Sequence, residues 1–163
     1  MILIMNETIK LIKKRASLRK YSEKDISPEH RELIIESALR APTAGNMMLY
    51  SIIIVDDQEK KEELSESCDH QPFIASAPLV LIFLADYQRW YDYYKLSAVK
   101  EYCLGEGIEF TGPTEADLML ACSDALIAAQ NAVLGAESLG IGSCYIGDIM
   151  ENYEEHQKLL SLP

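Results

Sequence analysis

Residues 114–139 constrain the fold more than any other stretch of this chain. Leu118, Cys122, Ala125, Ala129, Ala132, Ala136 and Leu139 recur at alternating steps of four and three, which places them on one face of a helix. Most of that stripe is alanine. Small side chains let a neighbouring helix approach closely, and a heptad spacing suits a shallow crossing of about +20°. Leu126, Ile127, Val133 and Leu134 lie off the stripe, so the helix is apolar around much of its circumference. Such a helix is central to a fold or lies at a subunit interface. Gly140 follows it as a left-handed stop.

The remaining segments are short. Asn6 is placed to cap a first helix, with Ile9, Ile12 and Ala16 on one stripe. Ser27-Pro28 reads as the cap and first residue of a second helix that carries Ile34, Ala38 and Ala41 on one face. Pro42 to Asn46 has turn chemistry. Tyr50–Val55 reads as a buried strand, and Asp57 can cap the helix after it. Pro78–Leu84 is apolar enough for a strand covered on both faces. Ser143–Ile146 is expected as a third strand, followed by a last helix over 151–160. Residues 86–113 hold Trp90, Tyr91, Tyr93 and Tyr94, then Gly105, Gly107 and Gly112-Pro113. A helix and then a mobile excursion is one expectation there, and an aromatic helix packed on the body is the other. The order of elements predicts a single domain over 1–163 of class α+β, in mixed α/β layers.

Charge narrows the function. Twenty-six acidic residues against fifteen basic ones give a net charge of −11, which argues against nucleic acid as a general partner. Residues 1–24 run the other way: Lys10, Lys13, Lys14, Arg15, Arg19, Lys20 and Lys24 face only Glu7 and Glu23. A short basic segment on an acidic body suggests a local anion site, with a solvated basic helix as the alternative. Cys68, Cys103, Cys122 and Cys144 are scattered without a CxxC pair, and His30, His70 and His156 complete no ligand set, so no metal site is expected. Met1–Met5 ends too soon at Asn6-Glu7 for a secretion signal, and the longest apolar run, Ala77–Ala85, is too short to span a bilayer. A cytoplasmic protein with no membrane partner is the expectation.

The anion site has a candidate. In an extended chain, residues at i, i+2 and i+4 face one way, so Arg15, Ser17 and Arg19 can converge after the first helix. Two guanidinium forks and a hydroxyl suit a phosphate monoester. Gly140-Ile-Gly142 is not a dinucleotide fingerprint, because it follows a helix and precedes an expected strand. His70 and Cys144 lie near these segments, and structural roles are expected for both.

The run Arg15-Ala16-Ser17-Leu18-Arg19-Lys20-Tyr21 resembles the start of the FMN-dependent nitroreductase family. Ala41-Pro42-Thr43-Ala44-Gly45-Asn46 is similar to that family's Pro-Ser-Ser-x-Asn loop, with Ala44 in place of a common serine. Gln71-Pro72-Phe73 resembles the segment before its second strand, and Gly140 to Gly147 the stretch that lines the flavin. Four such motifs stand in the family's order. The resemblance implies a three-layer sandwich in which a central, mostly antiparallel sheet is flanked by helices, with a long central helix at the interface of a homodimer. It implies that Arg15, Ala16, Ser17 and Arg19 hold the FMN phosphate, ribityl chain and pyrimidine edge. Pro42, Thr43, Ala44, Asn46 and Met48 would form a cofactor loop, with Thr43 and Asn46 reaching the partner's flavin. Gln71 would lie near the isoalloxazine, and Tyr145, Ile146 and Gly147 along it, with the Gly147 backbone near N5. Where many members have Gln-Pro-Trp this chain has Met48-Leu49-Tyr50, and the family's C-terminal arm is expected to be lacking.

The implied activity is hydride transfer from NADH or NADPH through FMN N5 to a nitroaromatic, quinone or similar acceptor, in ping-pong fashion. No protein catalytic residue is then required, because the flavin carries the redox chemistry. A non-catalytic flavin- or nucleotide-binding dimer, or a related flavoenzyme such as a reductive dehalogenase, is the alternative.

Overall fold

The computed structural model describes residues 6–162; the Met1–Met5 stretch and Pro163 lie outside them. The expected caps form. Asn6 Oδ1 accepts from Ile9 N at 3.0 Å to open α1 (Glu7–Lys14). Ser27 Oγ accepts from His30 N at 3.3 Å at the start of α2 (Pro28–Leu39). Asp57 Oδ1 accepts from Lys60 N at 3.1 Å ahead of α3 (Gln58–Ser67). Each cap satisfies a backbone donor that the helix leaves free.

β1 (Tyr50–Val55) and β2 (Val80–Ala85) pair antiparallel, from Tyr50 opposite Ala85 to Val55 opposite Val80. Period-two alternation sends their side chains to two different cores. Tyr50, Ile52, Leu81 and Phe83 pack with α2 and the alanines of α7 (Glu115–Ser138). Ile53, Val55, Val80 and Ile82 pack on the other face with Leu64 and Cys68 of the α3 end, Ile74 of α4 (Pro72–Ala75), and Leu159 of α8 (Tyr153–Leu159). Helices therefore cover both faces of the sheet, in three layers.

α7 is the expected long helix. Thr114 N and Oγ1 both donate to Asp117 Oδ2 at 2.8 Å, and these bonds hold the Asp117 carboxyl below its ordinary range. At the other end Gly140 adopts φ +77°. Ile141 N then reaches Ala136 O at 2.9 Å and Gly140 N reaches Glu137 O at 3.0 Å, a Schellman stop. By length and composition α7 could cross a membrane, yet Ala125, Ala128, Ala132 and Ala136 are buried against Ile34 and Ala38 of α2. At Gly135 the approach leaves no room for a side chain: a Cβ would lie 2.5 Å from Ser37 Oγ and 2.8 Å from Ser37 Cβ. Gly135→Val is expected to force α2 off α7 and destabilise the fold by about 1–3 kcal/mol, the usual cost of overpacking. The shift in denaturation midpoint measures it.

One expectation is corrected, and the alternatives left open are decided. Ser143–Ile146 is not a strand: its pairing is one parallel bridge between Ser143 and Ser17. In residues 86–113 the aromatic-helix alternative holds: α5 (Gln88–Leu96) carries Trp90, Tyr91, Tyr93 and Tyr94, α6 (Val99–Gly105) follows, and Phe110 stacks on Tyr91 at 5.9 Å between centroids. The Ile9 and Ile12 stripe of α1 stays exposed. The alanine stripe of α7 is buried inside the protomer, so it is α2 and the sheet that use its close approach.

Candidate functional site

Beyond α1 the chain extends, and Leu18 N donates to Ser143 O at 2.9 Å beside the Ser17–Ser143 bridge. Gly142 leaves room for the Leu18 side chain at this approach, since a Cβ there would fall 2.2 Å from Leu18 Cδ1 and force that side chain to turn away. The basic segment is thereby fastened to the stretch after α7. Arg15 Nη2 donates to Ser17 Oγ at 3.4 Å. Tyr145 Oη donates to Gln130 Oε1 of α7 at 3.4 Å. Burial pushes the Tyr145 phenol above its ordinary pKa, while the charge of nearby Arg15 pulls it down. Arg15 Nε and Ser143 Oγ are buried without a hydrogen-bond partner. Orphaned buried polar atoms are rare in folded proteins and call for an explanation.

Arg19 is exposed and lies near Tyr21, whose phenol is raised chiefly by burial and next by Cys144, with Arg19 opposing. The Tyr21 ring sits 6.5 Å from Phe73 and ties the segment to α4. Gln71, at the start of α4, donates through Nε2 to Cys68 O at 2.8 Å and to Asp148 Oδ2 at 2.9 Å. Asp148 directly follows Gly147, where a Cβ would meet nothing within 4 Å. Arg15 and Ser17 thus join Tyr145, while Gln71 joins the residue after Gly147.

The Pro42–Met48 loop is built separately. Ala44–Asn46 is a single 3-10 turn, and Gly45, Asn46 and Met48 have φ of +56°, +57° and +52°. Left-handed conformations in non-glycine residues are uncommon and must be held in place. Asp124 of α7, only 2% exposed, accepts from Ala44 N at 3.1 Å and from Leu49 N at 3.2 Å. Thr43 Oγ1 accepts from Met48 N at 3.2 Å. From α5, Trp90 Nε1 donates to Met47 O at 2.7 Å and Arg89 Nη2 to Met48 O at 2.6 Å. Among the described residues no hydrogen bond joins this loop to Arg15, Ser17, Gln71 or Tyr145. His70 is an exposed partner of Glu66 at 2.7 Å. All four cysteines are free.

Sequence reasoning missed Asp124, Trp90 and Asp148 as organisers of these segments. For Asp124 a signal existed, a lone carboxylate in the middle of the alanine-rich stretch of the helix.

The nitroreductase family model matches residues 12–163. The chain belongs to the nitroreductase family. It is 34% identical over 159 residues to an FMN reductase (NADPH) of Bacillus subtilis, covering 98% of this chain and 61% of the relative. The structure of B. megaterium NfrA2 superposes with a TM-score of 0.85 at 36% identity, covering 98% of this chain and 61% of that one. The NADPH:FMN oxidoreductase of Vibrio harveyi, solved in complex with NAD+, gives a TM-score of 0.83 at 31% identity, over 97% and 63% of the two chains. The chain therefore spans about three-fifths of the length of the relatives it matches.

Proposed function

We propose that this nitroreductase-family chain is an FMN-dependent oxidoreductase that takes electrons from NADH or NADPH. The observation that carries this reading is the pair of orphaned donors at the fastened basic segment. Arg15 Nε and Ser143 Oγ are buried and unpartnered, Arg15 Nη2 reaches the Ser17 hydroxyl, and Ser143 bridges Ser17 through the backbone, an arrangement that a phosphate-bearing cofactor would satisfy. The open space at Gly147 suits a flat ring lying on the backbone. The residues present therefore fit FMN. Arg15, Ser17 and Arg19 would hold its phosphate and chain, and Gln71, Tyr145, Ile146 and Gly147 its ring. Bound there, FMN would supply hydride transfer at N5 from the nicotinamide to a nitroaromatic, quinone or similar acceptor. The names of the relatives, an FMN reductase and an NADPH-flavin oxidoreductase, support the same chemistry.

The working unit is proposed to be a homodimer in a reducing cytoplasm. Leu118, Met119, Leu126 and Ile127 of α7 are exposed, as are Ile9 and Ile12 of α1, which packs beside it. Exposed apolar side chains on neighbouring helices are what an interaction surface would cover. A second copy seated there would bring its own Thr43–Asn46 loop to the flavin.

Reconstitution with FMN followed by anaerobic titration with NADH and NADPH tests the reading. Flavin colour that bleaches on nicotinamide addition is expected. A protein that takes up no FMN defeats the proposal, and one that holds FMN without bleaching is a binding module only. Arg15→Ala is expected to weaken FMN binding by about 1.5–3 kcal/mol, the range for a hydrogen bond to a charged group. Fluorescence titration with FMN measures it.

A further inference from the structure

We propose that Asp148 is a positioning residue that turns the Gln71 amide so that it offers a bound flavin a hydrogen-bond acceptor and no donor. The inference rests on the functional reading above and concerns the same site. Gln71 Nε2 lies 2.8 Å from the Cys68 carbonyl and 2.9 Å from Asp148 Oδ2. A carbonyl and a carboxylate only accept. An amide between two acceptors has one satisfactory orientation, with its NH2 toward both. A primary amide has two N–H hydrogens, so both are consumed. Among the described residues Oε1 has no hydrogen-bond partner, which leaves an acceptor for the ligand. An acceptor selects a donor, such as a ring N–H of an isoalloxazine or the carboxamide of a nicotinamide.

Both halves of the pair are held by backbone. On one side Asp69 and His70 take left-handed conformations, with φ of +60° and +51°. Gln71 N donates to Ser65 O at 2.8 Å, and Ser65 Oγ donates to Gln71 O at 2.9 Å. On the other side Asp148 opens a 3-10 turn, Asp148–Met150, closed by Met150 N to Gly147 O at 3.1 Å. That turn is pinned to the end of α3. Buried His156 donates from Nδ1 to Ile149 O at 2.8 Å and pairs through Nε2 with Ser67 Oγ at 2.8 Å. Asn152 Nδ2 donates to Ser67 O at 2.6 Å. The carboxylate and the amide therefore meet in a set geometry before any ligand arrives. Without Asp148 one amide hydrogen is released, so Gln71 presents a donor beside its acceptor and only the Cys68 carbonyl still holds its orientation.

The test is FMN affinity, read by quenching of flavin fluorescence, in apoprotein variants with wild-type circular dichroism. Asp148→Ala is expected to raise the FMN Kd about tenfold, the equivalent of one lost hydrogen bond. Asp148→Asn can turn its carbonyl to the amide and is expected to stay within about threefold of wild type. Gln71→Glu sets two carboxylates against each other and should weaken binding more than Asp148→Ala. Adding Asp148→Asn to Gln71→Glu restores a donor between the two positions and keeps an acceptor outward, but leaves the Cys68 carbonyl without its donor, so affinity should recover only part of the way toward wild type. Unchanged affinity in Asp148→Ala, or a double variant no better than Gln71→Glu, overturns the inference. A lowered melting temperature with unchanged FMN affinity also overturns it, because that is the mark of a purely structural contact. A wild type that takes up no FMN instead overturns the functional reading itself, and this inference with it.

Discussion

Asp124→Ala is expected to lower stability by about 2–6 kcal/mol and to loosen the Thr43–Met48 loop in the same step. Asp124 is buried on α7, and its two oxygens serve Ala44 N and Leu49 N. Removing the carboxylate strands both N–H groups where water is scarce, since Leu49 is itself fully buried. Each unsatisfied buried donor costs about 1–3 kcal/mol. Against a typical total of about 5–15 kcal/mol that is a large share. The melting temperature should fall by roughly 2–4 °C for each kcal/mol lost. The residues released are the ones with positive φ, Gly45, Asn46 and Met48. Once the anchor is gone, nothing on α7 offsets their strain. Asp124→Asn keeps one acceptor and should lose roughly half as much. A thermal melt of the two variants beside wild type checks the order. An alanine variant as stable as wild type would mean that the loop holds its own shape.

The features legible in the sequence are those set by near neighbours. Asn6, Ser27 and Asp57 sit one turn ahead of the donors they accept from, and each caps as expected. Gly140 stops α7 for the same reason: only the local conformation matters. The stripe on α7 was legible as buried, but what buries it was not. Ala125, Ala132 and Ala136 meet α2 and the sheet, a choice made by topology and invisible to periodicity. Ser143–Ile146 has the composition of a strand, but an extended segment becomes a strand only where a neighbour carries a ladder beside it. Here pairing stops at Ser17 and Ser143. The candidate site divides in the same way. Arg15 with Ser17 was readable, because two residues in extended chain face one way. Asp124 reaches backbone 75 and 80 residues away, and Asp148 reaches an amide 77 residues away. Spacing rules carry no information at such range.

Leu126→Glu is expected to convert the proposed dimer to a folded monomer, and it separates two roles of α7 that the sequence runs together. Leu126 is 65% exposed on the single protomer, beside Ile127 and two turns from Met119, while Ala129 is 4% exposed. A charge at Ala129 would therefore enter the protomer's own interior and unfold it, whatever the oligomeric state. A charge at Leu126 meets water in the monomer and costs it little. In a two-fold interface the same change occurs twice. Burying a leucine side chain is worth about 1.5–3 kcal/mol, so two copies withdraw about 3–6 kcal/mol from association. That raises the dimer dissociation constant by roughly 100-fold to 10,000-fold. Light scattering on a sizing column reads the mass, and circular dichroism reads the fold. FMN titration of the same sample adds a third reading. If Thr43 and Asn46 complete the flavin site of the opposite subunit, the monomer should bind FMN more weakly although Arg15, Ser17 and Gln71 are untouched. A Leu126→Glu protein that elutes as a dimer would place the subunit contact on another surface. One that becomes a monomer with wild-type FMN affinity would show that a single protomer holds the cofactor, and the loop gripped by Asp124 and Trp90 would then serve the fold alone.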